Sequence, residues 1–245
     1  MKSENQLIYE GKAKKIFAHK EQNKVIIEFK DDATAFNALK KSKFKGKGQL
    51  NCSISNHIFK HLISYDIPTH YISQRNNFSF IAYKIDIIPI EVVLRNIAYG
   101  SLCKQTNIKP STIFKKPLID FYYKDDELND PILTLERIKL MHLVNDNELK
   151  LIQDLTFKIN EILKEFFLKI NLKLVDFKVE FGRNQKGDIV LADEFSPDNC
   201  RLWDLKANDG KIISLDKDRF RNDLGDLIEA YTEINNRINN FISFT

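Results

Sequence analysis

Hydrophobic and polar positions alternate strictly over 175–181. Val175, Phe177, Val179 and Phe181 share one face, and Asp176, Lys178 and Glu180 share the other. A period of two predicts a half-buried strand. Gly182 and Gly187 bracket a polar turn, and 188–195 reads as a return strand ending in Asp193-Glu194, so the stretch is a hairpin broken at Ser196-Pro197-Asp198. Upstream, 6–8, 14–18 and 25–29 read as short strands, 31–37 as turn-like, and 40–47 as a basic, solvated loop. Leu50, Ile54, Ile58 and Leu62 recur at helical spacing and predict a helix over 49–63. Strands follow at 71–72, 78–84, 90–96 and 120–124, with a short apolar link at 85–89 and a loop punctuated by Pro110 and Pro117. Helices are predicted at 134–140 and at 147–170, the latter with a core stripe of Leu151, Leu155, Ile159, Ile162, Phe166 and Ile170. A last amphipathic helix buries Leu227, Tyr231, Ile234 and Ile238.

A strand-rich first part followed by a mixed second part predicts an α+β fold. The expected architecture is an N-terminal antiparallel-sheet lobe with a packed helix over 1–88 and a mixed lobe over 89–245, with a cleft between them. The 245 residues are enough for one large or two small domains with real cores. The net charge of +4 is too mild to point to nucleic acid. Cys52, Cys103 and Cys200 are isolated, which suggests neither a zinc cluster nor a disulfide framework and fits a reducing cytoplasm. The opening MKSENQ lacks the apolar core of a signal peptide, and no apolar run is long enough to cross a membrane. His57 and His61 lie one turn apart on the predicted helix without the neighbouring Glu of a metalloprotease motif, and read as structural.

The polar face of the first hairpin strand carries the candidate chemistry. Asp176 to Glu180 spans roughly 13 Å, about the reach of a phosphate chain plus a small acceptor. Glu180 and Asp193 can supply oxygen ligands to Mg²⁺, which takes one or two carboxylates and leaves its other positions to phosphate and water. The pairing register must put them on one face, because side chains switch faces at every residue, or a bulge must have the same effect. Lys178 can neutralise transferred negative charge, and Arg201 can grip a phosphate. The alternative for this face is an edge strand whose charges meet water. Tyr9-Glu10-Gly11-Lys12-Ala13 can lay backbone N–H groups over phosphates, with Lys12, Lys14 and Lys15 adding charge, although it is not a Walker A loop. The link at 85–89 reads either as a purine-binding stretch or as plain core strand. Glu91, Val93 and Arg95 share a face, and a buried Arg needs a partner or an anionic ligand. Gly100-Ser101 opens a predicted helix and offers a phosphate cradle.

These runs resemble the SAICAR synthetase family of purine biosynthesis. The matching blocks are Tyr9-Glu10-Gly11-Lys12-Ala13-Lys14-Lys15-Ile16, the stretch 31–37, Ile88-Pro89-Ile90-Glu91-Val92-Val93-Leu94-Arg95 with Gly100-Ser101, the hairpin with Arg201-Leu202-Trp203-Asp204, and the stretch 216–225, all in order. Tyr99 departs from the pattern, where the family usually has a small residue. The resemblance implies an ATP-dependent ligase that joins L-aspartate to carboxyaminoimidazole ribonucleotide (CAIR), giving SAICAR, ADP and phosphate through an acyl phosphate. It implies that Gly11, Lys12, Ala13 and Lys14 line the ATP phosphates, that Lys84, Ile85, Asp86, Ile87 and Ile88 hold adenine, and that Glu180 and Asp193 bind Mg²⁺. Glu91, Arg95, Ser101, Asp176 and Arg201 would contact CAIR, with Asp176, Lys178 and Lys124 closest to the chemistry. It also implies a cytoplasmic homo-oligomer, a dimer by analogy. A small-molecule kinase of similar two-lobed architecture is the competing reading; no His-Arg-Asp or Asp-Phe-Gly run supports a protein kinase.

Overall fold

A computed structural model describes residues 6–35, 40–206 and 212–243. The expectations placed on 1–5 and on Phe36-Asn37 lie outside them. The first part comprises β1 (Leu7–Glu10), β2 (Lys14–Ala18), β3 (Lys24–Phe29), β4 (Asp32–Ala35), β5 (Lys40–Lys43), α1 (Lys47–Ile63), β6 (Tyr71–Asn76) and β7 (Ser79–Tyr83). The rest comprises β8 (Asp86–Ile97), α2 (Ser101–Gln105), β9 (Ile113–Tyr123), β10 (Ile132–Leu133), α3 (Leu135–Leu140), α4 (Asp146–Lys169), β11 (Leu172–Arg183), β12 (Ile189–Ala192), β13 (Cys200–Asp204), α5 (Asp218–Arg221) and α6 (Leu227–Ser243). One antiparallel sheet runs β1-β2-β3-β7-β6, and a second runs β10-β9-β8-β11-β12 with β13 also on β11. The chain passes from the first sheet to the second across Lys84-Ile85, so the predicted α+β architecture with two lobes is the observed one.

Apolar periodicity explains the packing. α1 buries Ile54, Ile58, Phe59 and Leu62 against the first sheet and α6, while α4 lies across β8 and β11. A capping box starts α4: Asn145 accepts from Glu148 N, and Glu148 accepts from Asn145 N, both at 2.9 Å. Its buried stripe contains five of the six predicted residues, but Leu151 is 43% exposed and Leu149 and Ile152 take the core positions. Leu227, Tyr231, Ile234 and Ile238 are all buried on α6, as predicted.

Several local expectations are corrected. The turn-like 32–35 and the basic 40–43 pair as the two-stranded β4–β5 ribbon. The link at 85–89, read either as a purine-binding stretch or as core strand, is strand from Asp86 on, and its proline falls in a bulge: Ile88, Pro89 and Ile90 stand opposite Phe181 alone, between the pairs Ile87–Gly182 and Glu91–Glu180. A bulge leaves the missing proline N–H without a ladder partner to disappoint. Gly182 makes this approach possible, since a Cβ there would lie 2.7 Å from Ile85 Cδ1 and 2.8 Å from the Asp86 carbonyl oxygen. Pro117 likewise lies inside β9, in the excursion 114–117 that faces Asn96 alone.

Two lysines of the supposed solvated loop are structural. Lys40 Nζ donates to the Phe220 carbonyl and to Asp223, each at 2.6 Å. Lys47, the first residue of α1, is fully buried and donates to Asp198 Oδ2 at 2.5 Å. Asn51 Nδ2 reaches the same oxygen at 2.9 Å, and Tyr231 O–H donates to Oδ1 at 2.7 Å. Burial raises the free energy of each charge, and the pairing offsets it only while both ions are present. Lys47→Met, which leaves the Asp198 carboxylate buried without its cation, is therefore expected to cost about 3–5 kcal/mol of stability in urea denaturation. A loss under about 1 kcal/mol would show that the pair does not hold α1 in place.

Candidate active site

Between the sheets lies a cavity of about 730 Å³. One end is largely apolar, walled by Ile16, Val25 and Ile27 of the first sheet and by Tyr83, Ile85 and Ile87 where the chain crosses between lobes. Gly11, Lys12, Ala13 and Lys14 line it from the β1–β2 turn, which is tied by Gly11 N–H to the Lys14 carbonyl and by Lys30 N–H to the Ala13 carbonyl, both at 2.8 Å. Lys84 is also in the lining. Asp86 and Ile88 are not: strand alternation turns Ile88 into the core, 1% exposed, and Asp86 pairs in register with Arg183. Two of the five residues expected to hold adenine thus lie outside the cavity lining.

The other end is a knot of opposite charges. Lys178 Nζ lies 2.5 Å from Glu180 Oε1, 3.0 Å from Asp193 Oδ2 and 3.3 Å from Glu91 Oε1. Lys124 donates to Glu180 Oε1 at 2.9 Å; Lys14 pairs with Asp193 and sits 3.1 Å from Glu194 Oε1. The face does not meet bulk water as an edge strand would: Asp176 and Glu180 are each 3% exposed, and Lys178 and Glu180 line the cavity. Burial alone would push the Lys14 and Lys178 ammonium groups down, but the carboxylates around them carry both well above the usual lysine range. Burial would raise the Asp193 carboxyl, but Lys14, Lys178 and Lys124 hold it well below the usual carboxylate range.

Pairing parity alone would separate the two acids. Glu180 stands opposite Ala192, which puts the next residue, Asp193, on the other face. β12 ends at Ala192, however, and Asp193 takes a left-handed φ of 63°, which brings its carboxylate back to the Lys178 ammonium. His70, absent from the sequence-based candidates, fastens this turn. Its backbone N–H donates to the Leu191 carbonyl at 2.9 Å, and its Nε2 lies 3.1 Å from the Asp193 carbonyl oxygen, where it must carry the proton.

Beyond Lys178 on the same face of β11 is a second cluster. Asp176 is the cross-strand partner of Arg95 on β8 and of Arg201 on β13, so the sheet itself places both guanidinium groups on its carboxylate, at 3.2 and 2.7 Å. Arg95 also donates to Asp120 at 2.9 Å and approaches Ser101 Oγ at 3.4 Å; Arg201 donates to Asp218 at 2.7 Å. Gly100, φ 63°, permits this arrangement, since a Cβ there would sit 2.5 Å from Arg201 Nη2. The Tyr99 ring does not obstruct it: Arg201 lies over the ring at 5.6 Å and Trp203 packs edge-on at 5.4 Å. The helix opened by Ser101 has only five residues. Arg95, Ser101, Asp176 and Arg201 do not line the large cavity; they adjoin it through Asp218 and Arg221, paired at 2.6 Å.

His70, Glu194, Asp198, Lys217 and Arg221 line the cavity but were not among the site residues named from the sequence, although all but His70 lie in or beside the matching blocks. The density of charge in Asp216-Lys217-Asp218-Arg219-Phe220-Arg221 was the available signal. Among the described residues no three His, Cys, Asp or Glu side chains group as a metal site. Glu180 and Asp193 nevertheless converge on one cationic point, held by the Lys178 ammonium, and a magnesium ion that shares phosphate oxygens needs no more than two protein carboxylates.

A two-lobed α+β protein with a cleft apolar at one end and crowded with lysines, arginines and carboxylates at the other has the form of a nucleotide-dependent enzyme acting on anionic substrates. Comparison with known proteins gives the family. The SAICAR synthetase model matches residues 7–238. A phosphoribosylaminoimidazole-succinocarboxamide synthase of Prochlorococcus marinus subsp. pastoris is 67% identical over 242 residues, covering 99% of this chain and 100% of the relative. The crystal structure of such a synthase from Ehrlichia chaffeensis superposes with a TM-score of 0.92 at 47% identity, covering 96% of this chain and 98% of that one. A SAICAR synthetase solved in complex with ADP superposes at 0.90 with 48% identity, covering 95% and 97%. The chain belongs to the SAICAR synthetase family.

The buried His70 has a measurable consequence. Burial first, with Lys14 adding to it, depresses its pKa from 6.5 to about 4 against the opposing pull of Asp193. Between those values the unfolded chain takes up a proton that the native protein excludes, so stability is lost as pH falls from 6.5 towards 4, by about 3 kcal/mol if the whole shift is realised. His70→Gln should flatten the acid side of the stability–pH curve; an unchanged slope would place the acid sensitivity elsewhere.

Proposed function

We propose that this cleft joins L-aspartate to the carboxylate of CAIR at the expense of ATP, giving SAICAR, ADP and phosphate in purine biosynthesis. The observation that carries this reading is that β11 sets Glu180, Lys178 and Asp176 in sequence between the nucleotide-sized cavity and the arginine cluster. A phosphoryl donor and an anionic acceptor could thus meet along one strand face. The competing kinase reading is not favoured by any feature of the cleft or by the family.

A carboxylate resists nucleophiles because it is anionic and has no good leaving group. In the first step its oxygen attacks the γ-phosphorus of ATP; the bond from that phosphorus to the β–γ bridging oxygen breaks, ADP departs and an acyl phosphate forms. The aspartate nitrogen then attacks the acyl carbon. The carbon–oxygen bond to phosphate breaks, phosphate leaves with its electrons, and the nitrogen sheds a proton. The protein's task is to position the reactants and offset charge. Gly11 to Lys14 cover the triphosphate, with Lys84, Ile85 and Ile87 beside the base. Lys178 offsets charge at the reacting carboxylate, with Lys124 and Glu91 around it, and Asp176 meets the imidazole. Arg95, Ser101 and Arg201 take the ribose phosphate, the arginines exchanging part of their carboxylate contacts for it. Glu180 and Asp193 would hold Mg²⁺, which supplies further positive charge at the transferring phosphoryl group.

We also take the protein to be a cytoplasmic homo-oligomer with lobes dividing at 88/89. The change of sheet falls between Tyr83 and Asp86, a few residues before that division, which itself lies within β8, and among the described residues no helix is long and apolar enough to cross a membrane.

ADP release measured with CAIR, with and without aspartate, tests the reading: turnover should need both substrates and a divalent cation, and Glu180→Gln or Asp193→Asn should weaken the response to Mg²⁺ and lower kcat by roughly 100-fold or more. Undiminished turnover in both variants would dismiss the metal role. Arg201→Ala should raise KM for CAIR more than KM for ATP, by about 10-fold or more for one lost charge-assisted pair; equal effects would remove Arg201 from the phosphate site.

A further inference from the structure

Two kinds of contact hold Arg201. The first is directional: Nε donates to Asp218 Oδ2 and Nη1 to Asp176 Oδ2, each at 2.7 Å. Nη2 has no hydrogen-bond partner among the described residues and lies close above Gly100, where a Cβ would come within 2.5 Å of it. The second is the Tyr99 ring, over which Arg201 Cζ lies 5.6 Å from the centroid. That ring is half-buried and is itself held in place. Trp203 packs edge-on against it at 5.4 Å, and Trp203 sits with the buried Ile97 and Val175 in a small apolar cluster apart from the main core. Burial and the Asp218 and Asp216 carboxylates raise the Tyr99 pKa against the pull of Arg201, so the phenol stays neutral and offers the cation a ring face, not a counter-ion. A hydrogen bond to a carboxylate depends on which oxygen each N–H meets, whereas attraction to a ring face acts on the guanidinium as a whole.

We propose that Tyr99 is a positioning residue for the phosphate of the ribonucleotide substrate: its ring keeps the Arg201 guanidinium in place while that guanidinium changes hydrogen-bond partners. This rests on the ligase reading above. There the arriving phosphate takes over part of the arginine contacts to Asp176, and Asp176 is left to meet the imidazole. Arg95 stays anchored through this exchange. Its side chain is 3% exposed, and it retains Asp120 at 2.9 Å and the Tyr122 hydroxyl at 3.3 Å. Arg201 is more exposed, at 16% of its side chain, and retains only Asp218 at Nε. A long side chain tethered at one point swings, and ordering it again on binding costs affinity. The Tyr99 contact survives the exchange, because no oxygen competes for the ring. It holds the free Nη2 beside Gly100 and Ser101 before the phosphate arrives, which is preorganisation of the site.

The test is the steady-state kinetics of ADP release with each substrate varied in turn. Tyr99→Leu, which keeps an apolar side chain against Trp203, is expected to raise KM for CAIR by about 3- to 10-fold, the loss for one partly desolvated cation–ring contact, with kcat and the KM values for ATP and aspartate changed by less than about twofold. Tyr99→Phe keeps the ring and should match the wild type. In an Arg201→Ala background Tyr99→Leu should add nothing to the KM for CAIR, because the ring acts only through the guanidinium. Tyr99→Met, with the same expected outcomes, stands in should Tyr99→Leu fail to fold. An unchanged KM for CAIR in the folded variant overturns the assignment. So does a Tyr99→Phe protein as impaired as Tyr99→Leu, which would place the role in the hydroxyl, or an additive loss in the Arg201→Ala background, which would make Tyr99 a merely structural residue. None of these results touches the ligase reading. Wild-type ADP release that ignores CAIR would instead overturn the ligase reading itself.

Discussion

Opposite charges buried where the two sheets meet hold the cleft together. Lys14 comes from the first sheet and its partners Asp193 and Glu194 from the end of β12; Lys47 comes from α1 and its partner Asp198 lies four residues further on. The segment 193–198 is thus gripped at both ends by lysines from the N-terminal part. At low local dielectric such pairs interact strongly, but each ion also loses hydration, so neither is tolerated without the other. This mutual dependence fixes where the segment sits, and with it the carboxylates that face Lys178.

The two grips differ in a way that suits their places. Asp198 accepts three hydrogen bonds from Lys47, Asn51 and Tyr231, side chains of α1 and α6 that are themselves packed in the core. That end is saturated and reads as scaffold. At the Asp193 end the lysines share carboxylates: Glu180 takes both Lys124 and Lys178, and Asp193 takes both Lys14 and Lys178. Shared partners can be exchanged. In the ligase reading, arriving phosphates replace carboxylates on the lysines, and the released carboxylates become oxygen ligands for a cation, so charge stays balanced while the contacts change. The Asp176 cluster follows the same logic, with two guanidinium groups on one carboxylate beside a site expected to take phosphate.

Much of this was legible along the chain. Alternation at 175–181 marked β11, helical spacing marked α1, α4 and α6, and the charged residues on the β11 face were the ones the structure brings together. The failures share a cause. Lys47 looked like one more lysine in a basic run because nothing local announces that Asp198 is waiting under α1. Pro117 looked like a loop residue because a bulge is a property of two strands and only one is visible in a local reading. Leu151 fitted a helical stripe by spacing but is 43% exposed, and Leu149 and Ile152 take the core positions of that turn instead. His70 had no motif, and its role exists only because its ring reaches the Asp193 carbonyl.

By itself the sequence determined the long helices and the central hairpin, the α+β class, and most of the charged residues that were candidates for the site, since periodicity and local chemistry act over a few neighbouring positions. Only the tertiary structure decided that Glu180 and Asp193 share a point in space. Register put them on opposite faces, and a left-handed turn fastened by a distant histidine put them back together. The reason is that pairing parity and backbone handedness at a strand end are set by contacts between segments more than 100 residues apart, such as His70 with Asp193, which no local pattern encodes.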